Sequence, residues 1–161
     1  MSKKIPMNPD TSYMLGLFHC SDIDKGIGIE AKNERLIERF VAIAVNDLAI
    51  KPESITIEST GEDKLVHAHF HNAKLRKLLQ KALEEREHIF KYRNEYSASY
   101  FAALYDRCGG IGRSGLYIRH LDVLDEVLLE RLGFYISSTK KACYIRNGKE
   151  FLAFISKYSV K

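Results

Sequence analysis

The hydrophobic positions of the chain follow a helical period in some stretches and alternate as in strands in others. Helical spacing predicts helices at residues 13–20, 34–51, 72–92, 97–107, 121–132 and 149–158. Alternation of apolar and polar residues predicts strands at residues 27–30, 54–58, 65–71, 116–119, 134–137 and 142–146. Thr11 or Ser12 is expected to cap the first helix, and Pro52 to mark the break after the second. This mixture of helices and strands indicates the α+β class.

The stretch from residue 94 to 111 is the most informative part of this pattern. Its helix carries alanines about one turn apart, and such small residues let a second helix approach closely. Gly109 and Gly110 are expected to close the helix in the left-handed conformation that glycine adopts without strain. The predicted helix at residues 13–20 is the candidate partner.

The order of elements recurs in the two halves of the chain. Each half reads helix, strand, helix, hairpin, helix, and HNAK at residues 71–74 corresponds to RNGK at residues 146–149. Such a recurrence is typical of an internal duplication. We expect residues 1–10 to form a tail, and residues 11–93 and 94–161 to form two repeats. The repeats are expected to make one compact, monomeric unit with internal pseudo-two-fold symmetry.

Composition limits the function classes without choosing among them. The chain has 161 residues, 45% hydrophobic and 29% charged, which fits one compact globular domain. Apolar runs stay short of the ~18 residues of a membrane span, and the first residues do not resemble a signal sequence, so a cytoplasmic protein without membrane attachment is expected. Three cysteines without CxxC spacing argue against a disulfide scaffold or a structural zinc site. A net charge of +4 is compatible with nucleic-acid binding.

Two short sequences carry a family resemblance. FAALYDRCG at residues 101–109 resembles the LAGLIDADG motif of homing endonucleases, and MLGLF at residues 14–18 resembles the first positions of another copy. The resemblance implies two motif helices packed on a pseudo-two-fold axis and two curved sheets that form a saddle over the DNA major groove. In active members, the acid at the eighth position of each motif binds the divalent metals that drive phosphodiester hydrolysis. Mg²⁺ is the cofactor expected if this chain cleaves DNA, because it prefers oxygen ligands.

The acidic residues of this chain depart from the motif. In the later copy the eighth position is Cys108, and the sixth-position acid, Asp106, remains. A thiol is a poor ligand for Mg²⁺. Two alignments compete for the first copy: one puts His19 and Ser21 at the sixth and eighth positions, and the other puts two aspartates there after a short insertion. The candidate catalytic and metal-binding residues, if the chain is active, are therefore Asp22, Asp24 and Asp106.

The connections that follow the motif helices look short for the family. Residues 26–33 and 110–120 have room for little more than one strand each, whereas family members usually have a strand pair there that makes much of their DNA contact. The saddle is therefore expected to be reduced, and recognition of a long specific site is disfavoured.

Basic residues near the motif helices and the predicted hairpins are candidates for phosphate contact. They are Lys25, Arg107, Arg113, Arg119, Lys140, Lys141 and Arg146. His67, His69 and His71 lie on one face of a predicted strand, about 7 Å apart, which fits a solvated polar row better than a metal site and leaves nucleic-acid contact open. Cys20 and Cys108 are expected near the tips of the motif helices as small buried residues.

The main hypothesis from the sequence is a nucleic-acid-binding protein of LAGLIDADG type. Double-stranded DNA is the expected partner, and the nuclease activity is expected to be weak or lost. The first alternative is an active, Mg²⁺-dependent DNA endonuclease of homing type. The second is a protein-interaction module that does not bind nucleic acid, because a fold does not fix a function.

Overall fold

The computed structural model describes residues 5–20, 26–61 and 64–161. Its helices are α1 (Pro9–His19), α2 (Glu34–Asn46), α3 (Ala73–Glu84), α4 (Arg86–Ile89), α5 (Glu95–Cys108), α6 (Val123–Arg131) and α7 (Gly148–Ile155). Its strands are β1 (Ile27–Ala31), β2 (Thr56–Thr60), β3 (Leu65–Phe70), β4 (Gly109–Gly112), β5 (Gly115–Ile118), β6 (Ile136–Ser138) and β7 (Cys143–Ile145). The α+β class is confirmed. Among the described residues, no helix is long and apolar enough to cross a membrane.

Both central helices begin on an asparagine cap. The Asn8 side chain accepts a hydrogen bond from the Thr11 N–H at 2.8 Å, and the Thr11 hydroxyl accepts one from the Asn8 N–H at 2.9 Å. Asn94 and Ser97 form the same reciprocal pair at the start of α5. The expected cap at Thr11 or Ser12 is therefore wrong. Thr11 completes a capping box whose cap residue is Asn8, so α1 begins at Pro9.

The two motif helices pack against each other, as the resemblance implied. Residues Thr11 to Leu17 of α1 are all buried, so this helix is enclosed on every side. A Cβ added at Gly16 would lie 2.6 Å from the Tyr100 carbonyl oxygen and 2.7 Å from the Ala103 Cβ. The absence of a side chain at Gly16 therefore lets α1 lie directly on the backbone of α5.

Two antiparallel sheets complete the fold. The first sheet has the strand order β1-β3-β2, and the second has the order β4-β5-β7-β6. Each sheet turns apolar side chains inward, and those on the core side are Ile27, Ile29, Ala68, Phe70, Leu116, Ile118, Cys143 and Ile145. The opposite faces carry His67 and His69 in the first sheet, and Tyr117 and Tyr144 in the second.

The end of α5 differs from the expectation. Gly109 has φ −111° and ψ 171°, which is extended, so the helix runs directly into β4 without a left-handed glycine. A Cβ at Gly109 would lie 2.8 Å from the Tyr105 carbonyl oxygen and 2.9 Å from the Tyr117 carbonyl oxygen. Close approach of neighbouring backbone, and not a positive φ, is what requires glycine here.

The second half has the strand pair that the sequence was expected to lack. β4 and β5 form an antiparallel hairpin in which Gly109 lies opposite Ile118 and Gly112 opposite Gly115. The expectation of a single strand in this half is therefore wrong. In the first half, β1 alone lies in the described part of the connection, and residues 21–25 are outside the described residues. Both halves otherwise follow the predicted order of elements, while the duplication itself stays a prediction.

Candidate nucleic-acid interface and motif helix tips

Asp106, the candidate acid of the later motif copy, is 5% exposed. Its Oδ2 accepts hydrogen bonds from the Tyr13 hydroxyl at 2.5 Å and from the Val160 N–H at 2.9 Å, and its Oδ1 accepts one from the Ser159 hydroxyl at 2.5 Å. Burial, together with the Asp106 carboxylate, raises the pKa of Tyr13 above its usual range, so the phenol keeps its proton and stays a donor. Asp106 therefore links α1, α5 and residues 159–160, and an ion at either oxygen would compete with these donors.

The eighth motif position is occupied by a thiol that touches a second thiol. Cys20, at the C-cap of α1, forms a side-chain hydrogen bond with Cys108, the last residue of α5. This hydrogen bond, together with burial, raises the pKa of Cys20 above its usual range. The expectation that both cysteines lie at the helix tips is met, although Cys108 is half-buried and not fully buried. Asp22, Asp24 and Lys25 lie outside the described residues.

A cavity of about 230 Å³ opens at these helix tips, and we call it the tip cavity. Its lining consists of Cys20, Arg107, Cys108, Gly109, Tyr117, Arg119 and His120. Within the described residues, the side chains of this lining are two thiols, two guanidinium groups, one phenol and one imidazole, without a carboxylate. That donor set does not fit Mg²⁺, which takes oxygen ligands.

A wider groove of about 400 Å³ continues from the tip cavity across the second sheet. Its lining is Tyr117, Arg119, Lys141, Ala142 and Tyr144. The rings of Tyr117 and Tyr144 lie 6.3 Å apart, and the Arg119 guanidinium lies 5.2 Å from the centre of the Tyr117 ring. We call Tyr117, Arg119, Lys141 and Tyr144 the aromatic–basic face. Its two basic residues, Arg119 and Lys141, were predicted as phosphate contacts from the sequence, whereas its two tyrosines were not.

The other predicted basic residues lie around this face. Arg107 is half-buried in the tip cavity beside Arg119. Arg113 is exposed in the turn between β4 and β5, and Lys140 is exposed in the turn between β6 and β7. Arg146 is exposed after β7 and lines a separate groove beside α7. The structure therefore brings Arg107, Arg119 and Lys141 to connected cavities and leaves the other three at the edges of the second sheet.

A buried ion network that the sequence did not predict lies behind the tips. Asp125 is fully buried and accepts a hydrogen bond from the Tyr100 hydroxyl at 2.7 Å. His19 Nε2 lies 2.9 Å from Asp125 Oδ2 and 3.2 Å from Asp122 Oδ2. Arg86 forms ion pairs with both carboxylates. The predicted helix at residues 72–92 ends early at Glu84, and α4 begins with the inward-facing Arg86.

The His19, Asp122 and Asp125 ligand atoms lie within 4.8 Å of one another, as in a metal site. However, Arg86 Nη1 is 3.2 Å from His19 Nε2, and its guanidinium already forms ion pairs with both carboxylates. Burial favours a lower pKa for Arg86, but Tyr100 and the two carboxylates outweigh it and raise the pKa, so the guanidinium stays charged. We interpret the group as a structural ion network that joins α1, α4, α5 and α6.

His67 and His69 of β3, and His71 directly after it, form a row of imidazole rings beside the first sheet. The rings of His67 and His69 are 4.8 Å apart, and those of His69 and His71 are 5.6 Å apart. His67 lies between Glu30 and Glu58 in the strand ladder. Within the described residues, the row is not among the groups whose ligand atoms converge closely enough to share an ion. It therefore fits the predicted polar face better than a metal site.

Solved structures of the homing endonuclease I-DmoI have a similar architecture. A structure of mesophilic I-DmoI variants aligns with a TM-score of 0.67 and 18% identity over 92% of this chain and 96% of that chain. I-DmoI in complex with DNA and Mn aligns with a TM-score of 0.66 and 17% identity over 95% of this chain and 97% of that chain. No family model and no curated protein matches the sequence. The chain thus has the fold of LAGLIDADG homing endonucleases, which confirms the fold that the motif resemblance implied.

Proposed function

We propose that this protein binds double-stranded DNA through the outer face of its second sheet, and that its nuclease activity is weak or lost. The observation that carries the proposal is the aromatic–basic face, which lies on the second sheet of a fold similar to that of DNA-bound I-DmoI. Arg119 and Lys141 supply charge for phosphate contacts, and the neighbouring Tyr117 and Tyr144 supply apolar surface beside them. Arg107 extends the positive charge to the motif helix tips.

The helix tips support weak or absent cleavage. Catalysis by paired metal ions requires oxygen ligands that hold the ions about 4 Å apart. The described residues at the tips offer the Cys20 and Cys108 thiols, while both oxygens of Asp106 accept hydrogen bonds within the protein.

Fluorescence anisotropy with a labelled DNA duplex, measured across a salt series, tests the binding proposal. Affinity should weaken as salt rises, because phosphate contacts release counterions. Arg119→Glu with Lys141→Glu should weaken binding and reduce the slope of log K against log salt by about one unit for each lost contact. Lys77→Glu is the control for a single charge reversal: Lys77 is exposed on α3, away from the sheets, and its replacement should leave the affinity unchanged. Affinity that does not depend on salt, or equal losses in all variants, would contradict the proposal and favour a protein-interaction module.

An active Mg²⁺-dependent endonuclease is the alternative, and the I-DmoI structures with DNA and Mn favour it. Plasmid nicking in Mg²⁺ or Mn²⁺ separates the two. The proposal expects little or no cleavage by the wild type. Efficient cleavage that Asp22→Asn and Asp24→Asn together abolish would establish the alternative. Asp106 is unsuited to this comparison, because its replacement removes hydrogen bonds that stabilise the fold.

A further inference from the structure

The thiols of Cys20 and Cys108 form a pair that opens toward solvent on one side. Their contact joins the ends of the two central helices, since Cys20 caps α1 and Cys108 ends α5. Cys20 is 8% exposed, whereas Cys108 is half-buried, and both line the tip cavity. A reagent in the cavity can therefore reach Cys108, and Cys20 lies next to Cys108.

We propose that Cys20 and Cys108 are a dithiol modification site, which a small anionic disulfide compound of the glutathione disulfide type oxidises to an intramolecular disulfide. Arg107 and Arg119 line the same cavity and attract the carboxylates of such a compound. The third cysteine, Cys143, is 3% exposed in β7 and does not line the tip cavity. The chain thus contains its own unreactive reference thiol.

The oxidation proceeds in two exchange steps. The Cys108 sulfur attacks one sulfur of the small disulfide, a mixed disulfide forms on Cys108, and a small thiol leaves with the Cys108 proton. The Cys20 sulfur then attacks the Cys108 sulfur, and a second small thiol leaves with the Cys20 proton. Two electrons pass from the protein dithiol to the small disulfide. The two sulfurs close from hydrogen-bond contact to about 2 Å. Because Cys20 and Cys108 lie at helix ends, this movement does not disturb the helix interiors.

Disulfide mapping of the full chain tests the site. The reduced protein is incubated with glutathione disulfide, unreacted thiols are alkylated, and a non-reducing digest is analysed by mass spectrometry. Wild type and Cys143→Ser should both give the Cys20–Cys108 crosslink and melt at a higher temperature than their reduced forms. Cys20→Ser should stop at the mixed disulfide on Cys108. Cystamine, a cationic disulfide, should react more slowly than glutathione disulfide.

The outcomes that would overturn the proposal are defined by the same experiment. The first is that Cys20 and Cys108 are both recovered as alkylated thiols after prolonged incubation with glutathione disulfide. The second is a crosslink that involves Cys143 or a second chain. The third is a faster reaction with cystamine than with glutathione disulfide. Wild type and Cys143→Ser decide the result even if Cys20→Ser does not fold. Oxidation of the pair requires no nucleic acid, so failure here would leave the proposed DNA binding unaffected.

Discussion

Replacing Asp106 by alanine should destabilise the protein strongly, because three hydrogen-bond donors share this carboxylate as their acceptor and would all lose it. The bond from the fully buried Tyr13 hydroxyl contributes about 1.5–3 kcal/mol, as is usual for a charged acceptor. The donors on Ser159 and Val160 are half-buried and reach water when released, so each bond contributes about 0.5–1 kcal/mol. The total is about 2.5–5 kcal/mol, which lowers the melting temperature of a chain of this length by roughly 5–20 °C.

A double-mutant cycle with Tyr13→Phe isolates the central bond. Phenylalanine keeps the ring that lies 4.4 Å from the Arg39 guanidinium and removes the hydroxyl alone. In the wild-type background this change should cost about 1.5–3 kcal/mol, and with alanine at position 106 it should cost much less, because the hydroxyl then has no acceptor. Ser159→Ala is the matched control, because it removes another hydrogen bond to Asp106 from a less buried donor after α7, and it should lower the free energy of unfolding by about 1 kcal/mol. All values come from urea unfolding monitored by circular dichroism.

Two results would refute this account of Asp106. One is a melting temperature of Asp106→Ala within about 1 °C of the wild type, since the three bonds would then contribute little. The other is an equal cost of Tyr13→Phe in both backgrounds, because the two residues would then not be coupled. Either result would return Asp106 to consideration as a metal ligand.

Three further predictions concern packing, pH and capping. Gly16→Ala should cost about 1–3 kcal/mol, because its Cβ would collide with α5, whereas Gly61→Ala, with no atom within 4 Å of its Cβ, should be neutral in the same thermal melts. Burial favours a higher pKa for Asp122, but the Asp125 N–H and the Arg86 guanidinium outweigh it and lower the pKa. The stabilisation is therefore complete above the unfolded pKa of about 3.9 and is lost as the pH falls through the folded pKa. Asp122→Asn, which keeps an acceptor for the helix cap, should lose stability less steeply on acidification in urea titrations, and equal slopes would contradict the assignment. Asn94→Ala should cost about 1 kcal/mol, while Asn94→Ser should restore most of it.

Local signals were enough to predict most elements. The helical spacing of apolar residues predicted the helix over residues 34–51, and α2 begins at Glu34 as predicted but already ends at Asn46. The predicted hairpin at residues 54–71 forms β2 and β3. β4 was missed because Gly-Gly-Ile-Gly has neither alternation nor strand-forming residues, and it becomes a strand through its pairing with β5. α1 was placed late because Thr11 matched a cap pattern that Asn8 fulfils.

The candidate site was harder to predict because its parts come from distant segments. Tyr117 and Arg119 are two residues apart in the strand predicted at residues 116–119, so a shared face was open to prediction from the sequence, although β5 itself ends at Ile118. Tyr144 lies beside Tyr117 only because β7 pairs with β5, although α6 and β6 separate the two strands in the sequence. The contact of His19 with Asp122 and Asp125 depends on how α1 meets α6, which no local pattern encodes.

The complete enclosure of α1 has a consequence for how the chain folds. α1 is buried from Thr11 to Leu17, so none of its sides faces solvent in the folded protein. The helix that covers Gly16 is α5, which begins only at Glu95. α1 and α5 are separated by a long stretch of sequence. The entropic cost of bringing them together is therefore larger, and folding slower, than for contacts between sequence neighbours. During synthesis the side of α1 that packs on α5 therefore stays uncovered until α5 emerges, while α2, α3 and β1 can cover its other sides. We expect folding in one late, cooperative step, with aggregation as its main competitor.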